Sequence, residues 1–436
     1  MKKSLLAVAA MGAFASAAQA QSSVTVYGLL DVGYVGGSTR YSDTANVASK
    51  GYQNGSIKQT VNQFGQSAEQ TSRLGFKGVE DLGGGMSAFF TAEFALTPQD
   101  QISSGNTAGG LNNRQTFVGL KKNGLGQAAI GLQYTPVFNA AAATDPGQLN
   151  NMAGNVIYAS STAVTSGSAA SNNTAFTNRT ANTLSFKTDN FAGFTASAIY
   201  TLNNKNATQT NTGSTVAGQA TLGGNTNASG WGLGADYTLN KFYVTAAYQA
   251  LKQLTSGDGT TPTTGNTTLW TNQQANGATA APIGGLVKVA GATTYPNEAV
   301  TGTGQNVQDN QFYAATTYDF GILKAYGQYV NRNATSTMNS NYYIKRSAEQ
   351  IGVRSYITPT IEAWASGGLG RYTAFGANAP TANFNGWQLG SNYWLSKRTN
   401  LYAIYGQTMV STVALTTTST TSAAIANYAI GVRHTF

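Results

Sequence analysis

Alternation of apolar and polar residues is the dominant pattern along the chain. In one early stretch, Val24, Val26 and Val32 occupy even positions, whereas Thr25 and Asp31 occupy odd positions. Successive side chains of a β-strand point to opposite faces, so a period of two predicts strands with one apolar and one polar face. Sixteen candidate strands can be marked in this way, although 114–121 and 401–408 alternate poorly. They lie approximately at 23–34, 72–80, 86–96, 114–121, 127–134, 178–188, 193–202, 231–239, 241–253, 311–318, 322–331, 348–357, 361–370, 386–395, 401–408 and 426–436.

The connections between these stretches alternate strictly between short and long. The short ones are rich in Gly, Asn, Asp and Pro, which supply the backbone angles of tight turns: 81–85, 122–124, 189–190, 239–240, 319–321, 358–360 and 396–400. The long ones lie near 35–71, 97–113, 135–177, 203–230, 254–310, 332–347, 371–385 and 409–425. Short periplasmic turns, long external loops and an even number of strands are typical of outer-membrane barrels.

These features together predict an all-β fold, a 16-stranded antiparallel transmembrane β-barrel. A sheet edge exposed to hydrocarbon would leave backbone polar groups unpaired, at a cost of several kcal/mol each, so the sheet must close. Charged residues at polar positions then face a water-filled lumen, and sixteen strands are enough to leave an aqueous channel. The charged residues that alternate with apolar ones in this way are Asp31, Arg73, Lys77, Glu93 and Lys187.

Composition supports the barrel over the alternatives. Only 9 % of residues are charged and 41 % are hydrophobic, and no apolar run is long enough to span a bilayer as a helix. The aromatic content of 11 % disfavours a disordered chain. A soluble β-sandwich or propeller does not require the short–long asymmetry, and a secreted β-helix or adhesin would show fixed-period repeats, which are absent here. The chain has no Cys, which excludes disulfides and Cys-based catalysis or metal binding.

The N-terminus has the pattern of a secretory signal peptide. Lys2 and Lys3 precede an apolar stretch at 5–14, and Ala18-Gln19-Ala20 fits a small-x-small cleavage site. We therefore expect a cleaved signal peptide at 1–20 and a single barrel domain at 21–436. The alternative, an N-terminal membrane anchor, is disfavoured because the apolar stretch is too short to span a bilayer. Loss of the two lysines lowers the formal net charge from +9 to +7.

Several segments, in order along the chain, resemble one known family. The sequence is similar to the trimeric general porins of beta-proteobacteria, and the likeness covers nearly all of the mature chain. The segments that carry it are 23–31 (SVTVYGLLD), 72–85 (SRLGFKGVEDLGGG), 114–120 (RQTFVGL), 133–136 (QYTP), 395–399 (LSKRT) and 431–436 (GVRHTF). One departure is Leu132, at a position where the family often has Arg.

The resemblance implies a pore constriction and a set of partners. It implies that the third external loop, 135–177, folds into the barrel and faces a wall that carries Arg73, Arg114 and Arg179. It also implies a homotrimer in contact with outer-membrane lipid and lipopolysaccharide. The terminal Phe436 resembles the signal that the barrel-assembly machinery binds.

The three arginines suggest a preference for anions. Guanidinium groups remain charged, and rings of Arg or Lys suit anion pores because low-dielectric walls focus their field. Arg73 and Arg179 lie at polar positions of their strands, whereas Arg114 lies in a poorly alternating one. Each could instead be a solvated or ion-paired lumen residue. Two interpretations of Asp145 stay open: it faces the arginines across the pore, or it caps a turn in Asp145-Pro146-Gly147.

The expected function is therefore a diffusion channel for small hydrophilic solutes and ions with an anion preference. The nearest alternative is a substrate-specific channel for anions or organic acids. Catalysis is not expected, because the sole histidine, His434, has no candidate partners for a triad. Nor are a cofactor, a metal site or nucleic-acid binding expected. Lys77, Glu93 and Lys187 are further candidates for the pore lining.

Cleavage of the signal peptide can be tested directly. We expect N-terminal sequencing of the protein from outer membranes to begin at Gln21, because Ala18 and Ala20 supply the small residues that signal peptidase requires. A mature chain that begins at another residue would contradict this boundary.

Overall fold

The computed structural model describes residues 23–43, 56–98, 112–159, 176–204, 227–255, 305–336, 343–374, 381–414 and 420–436. These ranges contain one helix, α1 (Pro136–Thr144), and seventeen strands. The strands are β1 (Ser23–Asp43), β2 (Ser56–Gln66), β3 (Arg73–Gly83), β4 (Met86–Ala95), β5 (Asn113–Lys122), β6 (Gly126–Tyr134), β7 (Arg179–Thr188), β8 (Phe194–Asn204), β9 (Asn227–Leu239), β10 (Phe242–Thr255), β11 (Gln305–Asp319), β12 (Lys324–Ser336), β13 (Tyr343–Tyr356), β14 (Ile361–Ala374), β15 (Thr381–Trp394), β16 (Thr399–Ala414) and β17 (Thr420–Thr435).

The strands form one closed antiparallel sheet. Strand β1 pairs with β17 over a long register in which Leu29 lies opposite Thr435. On its other side, β1 pairs with β2 at its C-terminal part and with β3 at its N-terminal part, where Leu29 lies opposite Arg73. Strands β2 and β3 thus lie end to end and occupy one position in the barrel, interrupted by the short segment 67–72. The seventeen strands therefore form a barrel of sixteen positions, which confirms the predicted architecture.

The two faces of the wall differ as the alternation predicts. Val24, Ile351 and Leu389 are exposed on the outer face, with 66 %, 75 % and 52 % of their surface accessible. Gln350 and Gln388 point to the inner face and are buried. An apolar outer face suits contact with hydrocarbon, and a polar inner face suits contact with water. None of the described segments contains a helix long and apolar enough to cross a bilayer.

Several aromatic residues of the strands point outward, where Trp and Tyr are expected at membrane interfaces. More than a third of the surface of each is exposed in this group: Tyr200, Trp231, Tyr237, Trp387, Tyr393 and Tyr428. Tyr27 instead points inward, in agreement with its position among the polar residues of β1, and its hydroxyl donates to Glu93. His434 is exposed at the end of β17 and shares a hydrogen bond of 2.9 Å with the Thr399 hydroxyl.

Strands extend further at the external end than the sequence pattern predicts. The predicted loop 35–71 was wrong in extent: β1 continues to Asp43, and β2 begins at Ser56. Strand β11 likewise begins at Gln305 rather than near 311. These extensions are rich in polar residues, such as Ser38-Thr39-Arg40 and Gln308-Asp309-Asn310. The alternation disappears there because neither face of a strand needs to be apolar once the hairpin rises above the hydrocarbon.

Candidate functional site

The chain leaves the barrel wall after β6 and forms helix α1. The Thr135 hydroxyl caps the helix by accepting from the backbone N–H of Phe138 at 3.3 Å, and Pro136 occupies the first turn, where no N–H is needed. Residues at i, i+3, i+4 and i+7 of this helix are buried against β8–β12: Val137, Ala140, Ala141 and Thr144. The hydroxyls of Thr144 and Tyr313 share a hydrogen bond of 2.6 Å, which ties the C-terminal end of the helix to β11.

The segment after the helix, residues 145–158, lies along the polar face of β13–β17. Side chains of the wall accept hydrogen bonds from the backbone N–H groups of this segment. Few polar groups of the loop are therefore left unpaired. The hydrogen bonds are Val156 N to Gln350 Oε1 at 3.0 Å, Ala153 N to Asn427 Oδ1 at 2.8 Å, and Gly154 N to Thr408 Oγ1 at 2.8 Å. In addition, the amide groups of Asn150 and Gln388 donate to each other at 3.0 and 3.1 Å.

Two glycines of the wall make room for this segment. A Cβ atom at Gly406 would overlap the carbonyl oxygen of Ala153, and one at Gly368 would overlap a methyl group of Val156. A larger residue at Gly406 would therefore push the loop away from the wall. Apolar side chains complete the contact, because Met152 lies in a buried cluster with Tyr402 and Ile404 of β16. This contact explains why the stretch 401–408 alternates poorly: both of its faces meet apolar groups.

The segment 67–72, which interrupts β2 and β3, also contacts the loop. The Asn151 N–H donates to the Ala68 carbonyl at 3.0 Å, and the Asn151 amide donates to the Ser67 carbonyl at 2.8 Å. The segment is itself fixed by buried charges. Glu69 lies 3.4 Å from Arg433, and Asp31 accepts from the backbone N–H of Glu69 at 2.9 Å.

The three predicted arginines come together on the inner face of β3–β7, around Glu93. Arg114 Nε lies 2.7 Å from Glu93 Oε1, and Arg73 Nη1 lies 4.0 Å from Glu93 Oε2. Arg179 Nη1 donates to the Arg114 backbone carbonyl at 3.1 Å. We call Arg73, Glu93, Arg114 and Arg179 the arginine cluster. It carries three positive charges and one negative charge, so it is positive by two.

Arg114 reaches the inner face through a β-bulge. On β5, the even-numbered Val118 and Leu120 are exposed on the outer face, so an uninterrupted strand would direct Arg114 outward as well. The register between β4 and β5 shifts beside Glu93, which leaves one residue of β5 without an opposite partner. Bulges re-aim side chains in this way near functional sites. The Arg114 side chain is consequently buried and paired with Glu93.

Two tyrosines that were not among the predicted pore residues complete the cluster. Arg114 Nη2 donates to the Tyr134 hydroxyl at 2.9 Å, and the Arg179 guanidinium lies 5.7 Å from the centre of the Tyr134 ring. The Tyr27 hydroxyl donates to Glu93 at 3.2 Å. The inward position of Tyr27 could be derived from alternation, whereas Tyr134 ends its strand, where alternation no longer fixes the direction of the side chain.

The structure places the other predicted residues apart from the arginine cluster or at its margin. The exposed Lys77 lies near the cluster, with its Nζ 5.5 Å from the Tyr27 ring centre. Lys187 is exposed near the turn that follows β7, away from these contacts. Asp145 is buried and accepts from Leu149 N at 2.8 Å, Asn155 at 2.8 Å and Gln350 at 3.1 Å. Its carboxylate therefore caps the turn and joins the loop to β13.

A closed barrel with an apolar outer face and a polar, arginine-bearing inner face defines the class of outer-membrane channels. A profile described as Gram-negative porin matches residues 7–412. The chain therefore belongs to the Gram-negative porin family and forms an integral barrel of the outer membrane. This membership agrees with the expectation that the chain is not an enzyme.

Individual relatives match parts of the chain. An outer membrane porin protein of Bordetella pertussis is 37 % identical over 138 residues, which covers 30 % of this chain and 34 % of the relative. Outer membrane porin protein 32 of Delftia acidovorans is 33 % identical over 207 residues, covering 47 % and 51 % of the two chains. The chain thus matches only a third to a half of the length of these curated relatives.

Solved structures extend the likeness in fold to almost the whole chain. The structure described as an anion-selective porin from Comamonas acidovorans has a TM-score of 0.58 and 19 % identity, and the match covers 95 % of this chain and all of that one. At this identity the likeness concerns the fold alone.

The contact between loop and wall predicts the effect of a larger residue at Gly406. We expect Gly406→Val to push the Ala153 carbonyl away from the wall and so to lower single-channel conductance, since overpacking moves the backbone at a cost of about 1–3 kcal/mol. Gly367→Val is the matched control, because its Cβ would have no neighbour closer than 3.9 Å. Equal conductance of the two variants would contradict the proposed position of the loop.

Proposed function

We propose that this porin is a diffusion channel for small hydrophilic solutes and ions, and that the arginine cluster gives it a preference for anions. The observation that carries the proposal is the distribution of charge on the inner face. Three guanidinium groups lie around a single buried carboxylate, Glu93, which pairs with Arg73 and Arg114 on the inner face of β3–β7. A net positive charge at this level raises the local concentration of anions.

We further infer that residues 135–158 are an inward-folded loop that narrows the pore opposite the cluster. Support comes from their contacts with the inner face of nearly every strand from β8 to β17. The only acid in the predicted loop, Asp145, is held by Asn155 and Gln350 on the side of β13. No described carboxylate of the loop is therefore available to neutralise the arginines.

Arg73 and Arg179 are the members of the cluster best placed to meet a passing anion. The Arg73 side chain keeps 23 % of its surface exposed and lies at the outer limit of an ion pair with Glu93, whereas only 10 % of the Arg114 side chain is exposed. Arg179 is half-buried and donates to a backbone carbonyl rather than to a carboxylate. Arg114 neutralises Glu93 and thereby leaves the charge of the other two available.

Removal of these two charges should reduce the selectivity. In Arg73→Gln/Arg179→Gln the cluster changes from two net positive charges to none. We expect the permeability ratio of chloride to potassium to fall about three- to tenfold, because a unit charge at about 4 Å is worth about 1 kcal/mol in water. The measurement is the reversal potential in a planar bilayer under a KCl gradient.

The control for this experiment is Arg398→Gln in the exposed turn between β15 and β16, which removes a positive charge outside the cluster. It should leave the ratio close to that of the wild type. Selectivity that is unchanged in the double variant, or reduced equally in the control, would remove the cluster from the mechanism.

We also propose that the porin assembles as a homotrimer in contact with lipopolysaccharide, and that Phe436 is the signal for the barrel-assembly machinery. Phe436 and Gly28 exchange two backbone hydrogen bonds of 3.1 Å at the barrel seam, while 42 % of the surface of Phe436 remains exposed. The terminal residue is thus part of the closure and still accessible.

The trimer can be tested on native gels. We expect the purified protein to migrate as a trimer that dissociates to monomers on heating, since the porins that the sequence resembles are trimeric. A folded monomer that conducts normally and never forms the larger species would contradict the trimer.

A further inference from the structure

The exposed side of helix α1 carries no charge. One side of the helix packs against the wall: Val137, Ala140, Ala141 and Thr144. The residues on the other side retain accessible surface: Phe138, Asn139, Ala142 and Ala143. A helix that faces water normally presents charged or polar side chains on that side. Here, Phe138, Ala142 and Ala143 form what we call the apolar strip.

The apolar strip is continuous with the arginine cluster through one aromatic ring. The Phe138 and Tyr134 rings are stacked, with their centres 4.2 Å apart and their planes at 15°. The Tyr134 ring in turn meets the guanidinium of Arg179 at 5.7 Å and hydrogen-bonds to Arg114. Guanidinium groups and an uncharged apolar surface are therefore neighbours along the same passage.

This juxtaposition suits a particular class of solute. An anion that carries all its charge at one end can place its carboxylate near Arg73 or Arg179 and its apolar body against Phe138. A hydroxylated anion of equal charge and size would gain the electrostatic attraction but would have to exchange water for an apolar surface. The difference in permeability between the two solutes therefore depends on the apolar strip and not on the charge of the pore.

We propose that the constriction favours organic monocarboxylates with an apolar body over polar anions of equal charge and size, and that the apolar strip determines this preference. The inference rests on the proposed anion channel and adds to it a class of solute. Ala142 and Ala143 are exposed, and Phe138, which is half-buried between the Tyr134 and Tyr158 rings, borders them on the side of the arginine cluster.

The test compares valerate with glycerate, which both carry one negative charge and have the same number of non-hydrogen atoms. Biionic reversal potentials against chloride give the permeability of each anion through the wild-type protein in planar bilayers. We expect valerate to be favoured about threefold beyond the ratio of the free-solution mobilities, which corresponds to contact of about 25 Å² of apolar area with the strip. Phe138→Gln should bring the ratio close to that of free solution.

Two further variants separate the apolar strip from other causes. Ala142→Ser keeps the Tyr134–Phe138 stack and should lower the ratio by a smaller factor. Asn139→Gln, on the same side of the helix but outside the strip, should retain the wild-type ratio. Arg179→Gln should lower the permeability of both anions and leave their ratio unchanged.

Failure of this inference can be distinguished from failure of the anion channel. A wild-type ratio equal to that of free solution, or a ratio that Phe138→Gln does not change, would overturn the role of the apolar strip even if chloride remains preferred over potassium. Preference for potassium over chloride would overturn the anion channel itself.

Discussion

Closure of the sheet is the constraint on which the rest of the structure depends. Backbone N–H and C=O groups at an open edge would be unpaired in hydrocarbon, so β1 must find partners on both sides. It does so with β17 on one side and with β2 and β3 on the other. Once the sheet is closed, every strand has an outer face toward lipid and an inner face shielded from it. Polar and charged side chains can then occupy alternate positions.

The inner face is used in two different ways around the barrel. From β8 to β17 its side chains bind residues 135–158: helix α1 packs on β8–β12, and amide and hydroxyl groups of β13–β17 accept from the loop backbone. From β3 to β7 the same face carries the arginine cluster. The polar groups of the loop and the carboxylate of Asp145 form hydrogen bonds with the wall. Within the described part of the chain, the carboxylate that pairs with these arginines is Glu93, which is buried among them.

The sequence predicts the parts of the barrel where the two faces meet different solvents. Stretches such as 86–96 and 231–239 alternate because lipid lies on one side and water on the other, and their strands appear within a few residues of the expected bounds. The external extension of β1 to Asp43 could not be predicted, because polar residues such as Ser38 and Thr39 occupy both faces of the strand there. The interruption at 67–72 carries no periodic signal either, since its conformation depends on Asp31 and Arg433, which are distant in sequence.

The candidate site was predictable to a similar degree. Alternation alone directs Arg73 inward, whereas Arg114 has the wrong parity and reaches Glu93 only because a bulge shifts the register. The prediction that the three arginines form one site came from the resemblance to a family and not from periodicity. For Asp145 the sequence left two interpretations, and its hydrogen bonds to Leu149 and Asn155 correspond to the turn cap. The apolar strip could not be recognised beforehand, because four consecutive alanines do not reveal which of them face the wall.

The central claim is that the uncompensated charge of the arginine cluster controls which ions pass. The most direct measurement is the reversal potential of the purified wild-type protein in a planar bilayer under a KCl gradient. We predict a potential that favours chloride, with large ohmic conductance steps. A potential that favours potassium would contradict the account, because it would mean that acidic residues elsewhere along the passage outweigh the cluster.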